Sequence, residues 1–158
     1  MHLATKDALL ALQLFHVLFL SLHDWVPLGN LNDVKAVRAV NPGRRLLITT
    51  LISVIPYAFG VVASAIYHGR PYPTWLLGWL WVSYAVLFIG ELGAWWIPYL
   101  LIPEPARAAR YRAMFGQTHA FLPERNGIGP NTLHVIRHAA TLTTLVVLGA
   151  LTTAHEQP

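Results

Sequence analysis

Four long apolar stretches, separated by short polar connections, constrain the fold of this 158-residue chain more than any other feature. They cover residues 8–28, 46–67, 74–102 and 131–154, and each is close to the ~20 residues that a helix needs to cross a bilayer. Only 11% of the residues are charged, whereas ~25% is usual in soluble domains. The pattern predicts an all-α integral membrane protein, with a single transmembrane domain over residues 1–158 built as a four-helix bundle.

Two of the stretches are interrupted. His23 and Asp24 interrupt the first, and because no small-x-small cleavage site follows Leu22, we expect a retained span and not a cleaved signal peptide. The second contains Pro56, at which we predict a kink. The chain has no cysteine, which excludes disulfides and thiolate metal ligands.

Basic residues are distributed unevenly between the connections. The first connection contains Lys35, Arg38, Arg44 and Arg45, and the third contains Arg107, Arg110, Arg112 and Arg125. The opposite side has Lys6 and Arg70. Because cytoplasmic connections carry an excess of Lys and Arg, we expect both basic connections in the cytoplasm and both termini outside it. The expected location is a bacterial cytoplasmic membrane.

Each basic connection also contains a short amphipathic segment, residues 33–40 and 105–115, which we expect to form a helix in the headgroup layer. The expected partners are therefore the bilayer and its anionic lipid headgroups, while a homo-oligomer or a larger membrane complex stays open. Nucleic acid is not expected, since the basic residues form no recognised binding motif. The candidates for contact with a headgroup or charged substrate are His23, Asp24, Arg107, Arg110, Arg125 and Asn126.

Aromatic residues cluster at both ends of the third stretch. Tyr72, Trp75 and Trp79 lie at one end, and Trp95, Trp96 and Tyr99 lie at the other. Tryptophan and tyrosine are enriched at membrane–water interfaces, so we expect all six to act as interface anchors.

Polar residues at membrane depth are the candidates for function, since such groups are rare there and face the protein interior. At a rise of 1.5 Å per residue, His16, Glu91 and His138 fall at about the same depth on three different helices. We predict that they form one catalytic site in the cytoplasmic half of the bundle. Glu91 would be the acid or base, His16 and His138 its partners, and Arg137 would stabilise an anion.

The same side chains are also a possible ligand set for zinc or iron. A metal would take His16, Glu91, His134 and His138, and a haem held between two histidines is the weaker option. The H-E-x-x-H motif is absent, because Val135, Ile136 and Arg137 separate the last two histidines. The cofactor therefore stays unknown at this point.

Three functions fit such a site. The first is an intramembrane enzyme that acts on a lipophilic substrate by acid–base or metal-assisted chemistry. The second is a non-catalytic subunit or scaffold, in which Glu91 and Arg137 form a structural ion pair, and the third is a small proton- or ion-coupled transporter. We favour the enzyme, because the outer halves of the third and fourth helices carry no charge relay, which indicates a closed pocket.

The predicted orientation is testable, because a chain without cysteine accepts single cysteines as unique labels. We expect Arg70→Cys to react with a membrane-impermeant maleimide added to intact cells. Arg45→Cys should react only after permeabilisation, since its connection is the basic one. The reverse pattern, or labelling of both variants from outside, contradicts the orientation.

Overall fold

The computed structural model describes residues 2–155, and it describes side chains for residues 3–153. The helices are α1 (His2–Leu22), α2 (Val34–Val40), α3 (Gly43–Ile66), α4 (Thr74–Glu91), α5 (Ile97–Leu100), α6 (Pro105–Phe115) and α7 (Thr132–His155). A 3₁₀ turn, Gly29–Leu31, precedes α2, and a π-helical segment, Leu92–Trp96, joins α4 to α5. The prediction of an all-helical fold is confirmed over the described residues.

Four helical segments are long and apolar enough to cross a membrane, and they match the four predicted stretches. They are Leu3–Leu22, Gly43–Ile66, Thr74–Leu100 and Thr132–Thr153. Their outward faces carry large apolar side chains that are 58% to 68% exposed, such as Leu18, Ile52, Val86 and Val146. A bundle that folds in water places polar side chains on that face, so the pattern here is reversed.

The long helices form a ring of antiparallel neighbours, in which α1 and α4 each pack against both α3 and α7. At one end, Lys6 Nζ donates hydrogen bonds to the carbonyl oxygens of His68 and Arg70. At the other end, the His119 N–H donates to the carbonyl oxygen of Asn30 over 2.7 Å. The first and third connections therefore meet at one end of the bundle.

The apolar core lies in the half of the bundle that contains Lys6. Its most buried members are Leu9, Leu76, Leu80 and Leu148, which are at most 1% exposed. They belong to one cluster contributed by all four long helices. The buried histidines and the Glu91 carboxylate lie in the other half of the interior.

The short helices α2 and α6 lie where the sequence places them, and they pack against each other across the end of the bundle. Val37 and Met114 are buried in one apolar cluster with Leu46 of α3. Arg110 Nη2 also donates to Asn41 Oδ1 over 2.9 Å. Whether the two helices lie in a headgroup layer stays a prediction.

Pro98 explains why the third long helix becomes π-helical after Glu91. The Ile97 N–H donates to the carbonyl oxygen of Leu92, five residues back, and Pro98 has no N–H to offer. The carbonyl of Gly93 therefore loses both its i+4 and its i+5 donor. The carbonyl of Ala94 loses its i+4 donor for the same reason.

Side chains of α6 replace the missing donors. Arg107 Nη1 donates to the carbonyl oxygens of Gly93 and Ala94 over 2.7 and 2.9 Å, and the Tyr111 hydroxyl donates to Ala94 over 3.0 Å. Glu104 holds the guanidinium from the other side, with Oε2 3.0 Å from Arg107 Nε. Burial raises the pKa of Tyr111, so its hydroxyl stays protonated and remains a donor. These contacts fix α6 to the π-helical segment.

Three of the aromatic residues expected at the interfaces are buried in the protein. Trp95, Tyr99 and Tyr72 are at most 5% exposed, so the expectation that they anchor an interface is wrong. Tyr72 lies before α4 and bonds to Ser64, whereas Trp95 and Tyr99 lie in and after the π-helical segment. The extra residue in a π turn shifts every later side chain around the helix, which turns Trp95 inward. Trp75 and Trp79, which are 51% and 40% exposed, remain on the surface.

We expect Arg107→Gln to lower the free energy of unfolding by about 1–3 kcal/mol, because two backbone carbonyls lose their charged donor. Arg112→Gln is the matched control on the same helix, since the Arg112 side chain is 63% exposed and pairs with Glu124 at the surface. Thermal denaturation in detergent measures both variants. Equal midpoints for the two would contradict the docking role of Arg107.

Candidate functional site

Three long helices bring four polar side chains into one chain of contacts near the middle of the bundle. We call His16, Thr141, Glu91 and Arg137 the polar relay. His16 Nε2 lies 3.0 Å from Thr141 Oγ1, and that oxygen lies 2.9 Å from Glu91 Oε1. Arg137 Nη2 lies 3.1 Å from the same Glu91 oxygen. The structure thus brings together three predicted site residues and adds Thr141, which the sequence does not single out.

The polar relay has almost no contact with solvent. His16 and Thr141 are 0% exposed and Glu91 is 3% exposed, while the Arg137 side chain, at 13%, forms its edge. A buried charge is tolerated only when it is paired and hydrogen-bonded. Arg137 therefore supplies the charge that makes an ionised Glu91 tolerable at this depth.

The hydrogen atoms of the polar relay can be counted. His16 Nδ1 lies 2.7 Å from the carbonyl oxygen of Leu12, which only accepts, so Nδ1 carries a hydrogen. Thr141 has one hydroxyl hydrogen, yet its oxygen faces both His16 Nε2 and Glu91 Oε1. The same hydroxyl also lies 3.1 Å from the carbonyl oxygen of Arg137. With a neutral imidazole and an ionised carboxylate, at least one of the Thr141 contacts to His16 and Glu91 would therefore contain no hydrogen. One further proton in the relay allows a hydrogen in both of these contacts.

That proton has two positions. When His16 Nε2 carries it, the imidazole donates to Thr141 and the Thr141 hydroxyl donates to Glu91. When Glu91 Oε1 carries it, both bonds reverse, and the hydroxyl donates to His16. The polar relay can therefore hold this proton either on an imidazole or on a carboxylate.

His138 and His134 lie beside the polar relay in an aromatic cluster. Trp96 Nε1 donates to His138 Nδ1 over 3.1 Å, so a neutral His138 carries its hydrogen on Nε2. His134 Nδ1 lies 2.6 Å from Asn131 Oδ1, and its ring lies 4.6 Å from the Trp95 ring. The indole and amide groups therefore fix the tautomer and position of each imidazole.

His23 and Asp24 follow the end of α1 and are 14% and 21% exposed. His23 Nε2 lies 3.3 Å from Asp24 Oδ1, and the His23 ring lies 5.8 Å from the His134 ring. Burial lowers the pKa of His23 by more than the Asp24 carboxylate raises it. This pair extends the polar groups to the end where the connections meet.

The metal-ligand set proposed from the sequence is divided between two places. Among the described side chains, no group of three or more His, Asp or Glu residues is placed to hold a metal ion. Thr141 separates His16 from Glu91, while Trp96 and Asn131 occupy the δ nitrogens of the other two histidines. The sequence shows histidine and glutamate at suitable depths, but it does not show that Thr141, Trp96 and Asn131 lie between them or bind their nitrogens.

The three arginines among the remaining headgroup candidates contact other parts of the protein. Arg107 binds the π-helical segment and Arg110 bonds to Asn41, as described above. The Arg125 guanidinium lies 5.8 Å from the centre of the Tyr99 ring. Arg110 and Arg125 are nevertheless exposed, so a contact with a headgroup stays a prediction for both.

Asn126 belongs to a tight turn. Arg125 and Ile128 exchange two backbone hydrogen bonds of 2.9 Å, and Asn126 and Gly127 between them have φ of 53° and 76°. Two positive φ values are typical of a type I′ turn, which favours Asn-Gly. Asn126 Nδ2 donates to the carbonyl oxygens of Pro98 and Tyr99, where α5 ends. The Asn-Gly pair was the sequence signal for this role.

Further buried polar side chains continue from the polar relay toward the opposite end. Gln13 lies one turn from His16 on α1, and its Nε2 donates to Ser64 Oγ over 3.0 Å. The Tyr72 hydroxyl donates to the Ser64 carbonyl oxygen over 3.3 Å, and Lys6 Nζ lies 4.7 Å from the centre of the Tyr72 ring. These groups come from α1, α3 and the connection after α3. The prediction of a closed pocket considered only α4 and α7, so it did not take these groups into account.

Polar groups therefore run through the whole bundle, and we call them the polar column. Its members are Lys6, Tyr72, Ser64, Gln13, the polar relay, His138, His134, His23 and Asp24. Five buried atoms in or beside it have no hydrogen-bond partner among the described residues, namely Gln13 Oε1, Tyr84 Oη, Glu91 Oε2, Arg137 Nε and His138 Nε2. Each such atom costs about 1–3 kcal/mol, so packing alone does not favour their grouping.

Comparison of the chain with protein-family models, with curated proteins and with solved structures gives no match. The polar column and its chemistry are therefore the basis on which a function is proposed.

We expect Thr141→Val to lower the free energy of unfolding by about 1–3 kcal/mol, because His16 Nε2 and Glu91 Oε1 lose their shared hydroxyl. Thr144→Val is the matched control, since Thr144 is also 0% exposed on α7 and its hydroxyl bonds to the backbone oxygen of Ala140. We expect that control to cost about 0.5 kcal/mol or less. Denaturant unfolding in detergent that gives equal losses would show that Thr141 does not join the relay.

Proposed function

We propose that this chain is an integral membrane protein that transfers protons through its helix bundle. Four helices are long and apolar enough to span a membrane, and their outward apolar faces match the hydrocarbon interior of a bilayer. Polar side chains are turned inward, as a bilayer requires. Because the first and third connections are basic, we propose that their end of the bundle faces the cytoplasm, with α2 and α6 in the headgroup layer.

The observation that carries the proposal is the pair of contacts that join His16 Nε2 and Glu91 Oε1 through Thr141 Oγ1, at 3.0 and 2.9 Å. In the transfer step, the His16 Nε2–H bond breaks as a Thr141 O–H bond forms, and the original Thr141 hydrogen passes to Glu91 Oε1. No oxidant, metal or further reactant is needed, since only protons move. Arg137 stabilises the ionised form of Glu91 and so favours release of the proton.

The polar column favours transfer across the bundle over a closed catalytic pocket. Buried Gln13, Ser64 and Tyr72 extend the polar groups beyond His16 toward one end, and His134 and His23 extend them toward the other. A purely structural Glu91–Arg137 pair would need none of these groups. Of the three functions, the transporter is therefore the one that this geometry supports best, with the proton itself as the transported ion, ahead of the enzyme and the scaffold.

Proton flux in proteoliposomes that contain a pH-sensitive dye tests the proposal. We expect the wild-type protein to dissipate an imposed pH gradient, and Glu91→Gln to slow that flux by about a hundredfold or more, since the carboxylate is the proton acceptor. Glu124→Gln is the control, because the Glu124 side chain is 57% exposed at the surface. It should transfer protons at the wild-type rate.

Thr141→Ser and Thr141→Val separate proton transfer from structure. Serine keeps the hydroxyl and should retain most of the flux, while valine keeps the shape and should stop it. Gel filtration and circular dichroism establish that each variant is folded before it is assayed. Absence of flux from folded wild-type protein, or flux that persists in Glu91→Gln, would overturn the proposal.

A further inference from the structure

A pocket of about 450 Å³ lies at the end of the bundle where the first and third connections meet. Residues of both connections line it, among them Trp25, Asn30, Lys35, Arg38 and Gln117. These residues lie outside the polar column, and proton transfer does not use them. Proton transfer therefore does not explain why these residues form a pocket.

The charge of this pocket is positive. Lys35 and Arg38 lie three residues apart on α2 and so share one helix face. Neither forms an ion pair among the described residues, and the Arg38 guanidinium lies 5.3 Å from the centre of the Trp25 ring. Asp33 also lines the pocket, but its Oδ1 accepts the Ala36 N–H and caps α2.

The walls of the pocket are held in place before any ligand arrives. Trp25 Nε1 donates to Thr50 Oγ1 over 3.0 Å. Asn32 Nδ2 donates to the carbonyl oxygens of His23 and Val26 over 2.6 and 2.8 Å. Because α2 is also packed on α6, the two cations are presented on a fixed surface, which lowers the entropic cost of binding.

Exposed apolar side chains adjoin residues of the pocket in the chain, and we call them the apolar flank. Val26 and Leu28 are sequence neighbours of the lining residues Trp25 and Gly29, and Leu47 and Leu51 lie on α3 near Thr50, to which Trp25 bonds. All four are 40% to 48% exposed. Apolar surface is therefore available near the pocket.

We infer that this pocket binds the phosphate group of an anionic phospholipid, whose acyl chains lie along the apolar flank. Lys35 and Arg38 neutralise the phosphate, and the Asn30 and Gln117 amides offer hydrogen bonds to its oxygens. A free phosphate would satisfy the cations but leave the flank uncovered. The inference goes beyond proton transfer and shares with it only the placement of the four long helices in a bilayer.

Native mass spectrometry of the detergent-solubilised protein, titrated with phosphatidylglycerol, tests this site. We expect the double variant Lys35→Gln with Arg38→Gln to bind that lipid about tenfold more weakly, because two charges next to the phosphate are lost. Arg44→Gln with Arg45→Gln is the control. It removes the same charge from the same end of the chain but outside the pocket, and binding should stay within about twofold of wild type.

Two further titrations distinguish the sources of the phosphate. Phosphatidylcholine should bind weakly because it has no net charge, and soluble glycerol phosphate should not compete with phosphatidylglycerol because it lacks acyl chains. Equal losses in both double variants, equal binding of the two lipids, or competition by glycerol phosphate would each overturn the inference. Unfolding midpoints equal to that of wild type establish that the variants are folded.

Discussion

The burial of Glu91 and Arg137 inside an apolar bundle is the constraint that the rest of the structure satisfies. Removing one ion from water costs several kcal/mol even after the protein relaxes, so each charge needs the other within contact distance. Their 3.1 Å contact fixes the register of α4 against α7. Thr141 bonds to the same Glu91 oxygen and also to His16 Nε2, which brings α1 to the same place. The requirement to pair one carboxylate thus positions three of the four long helices.

A similar requirement orders the end of the bundle. Pro98 leaves backbone carbonyls without donors, and α6 supplies Arg107 and Tyr111 to satisfy them. With α6 docked, the π-helical segment holds Trp95 and Trp96 toward the interior, where they contact His134 and His138. The contacts of the α7 imidazoles with Trp95 and Trp96 therefore depend on a segment whose carbonyls Pro98 leaves without donors, while Asn131 also holds His134. Unsatisfied polar groups, more than apolar packing, explain the details of this half of the protein.

Sequence reasoning succeeded where the signal is local. Length and hydropathy predicted the four long helices, because a span needs only a run of apolar residues, and the rise per residue predicted that His16 and Glu91 share a depth. It did not single out Thr141, since which hydroxyl bridges two helices depends on their rotation about their axes. It placed Trp95 outward because a π turn is set by donor and acceptor pairing rather than by residue type. The role of Gln13 as a link beyond His16 also depends on helix facing.

Infrared difference spectroscopy of the protein in lipid vesicles tests the shared proton most directly. The account predicts a protonated-carboxyl band that appears and disappears with pH, is absent in Glu91→Gln, and shifts in its pH dependence in His16→Gln. A band that depends on His16 shows that the imidazole and the carboxyl group hold one proton between them. A Glu91 that stays ionised at every pH, with or without His16, would contradict the account and leave a static ion pair.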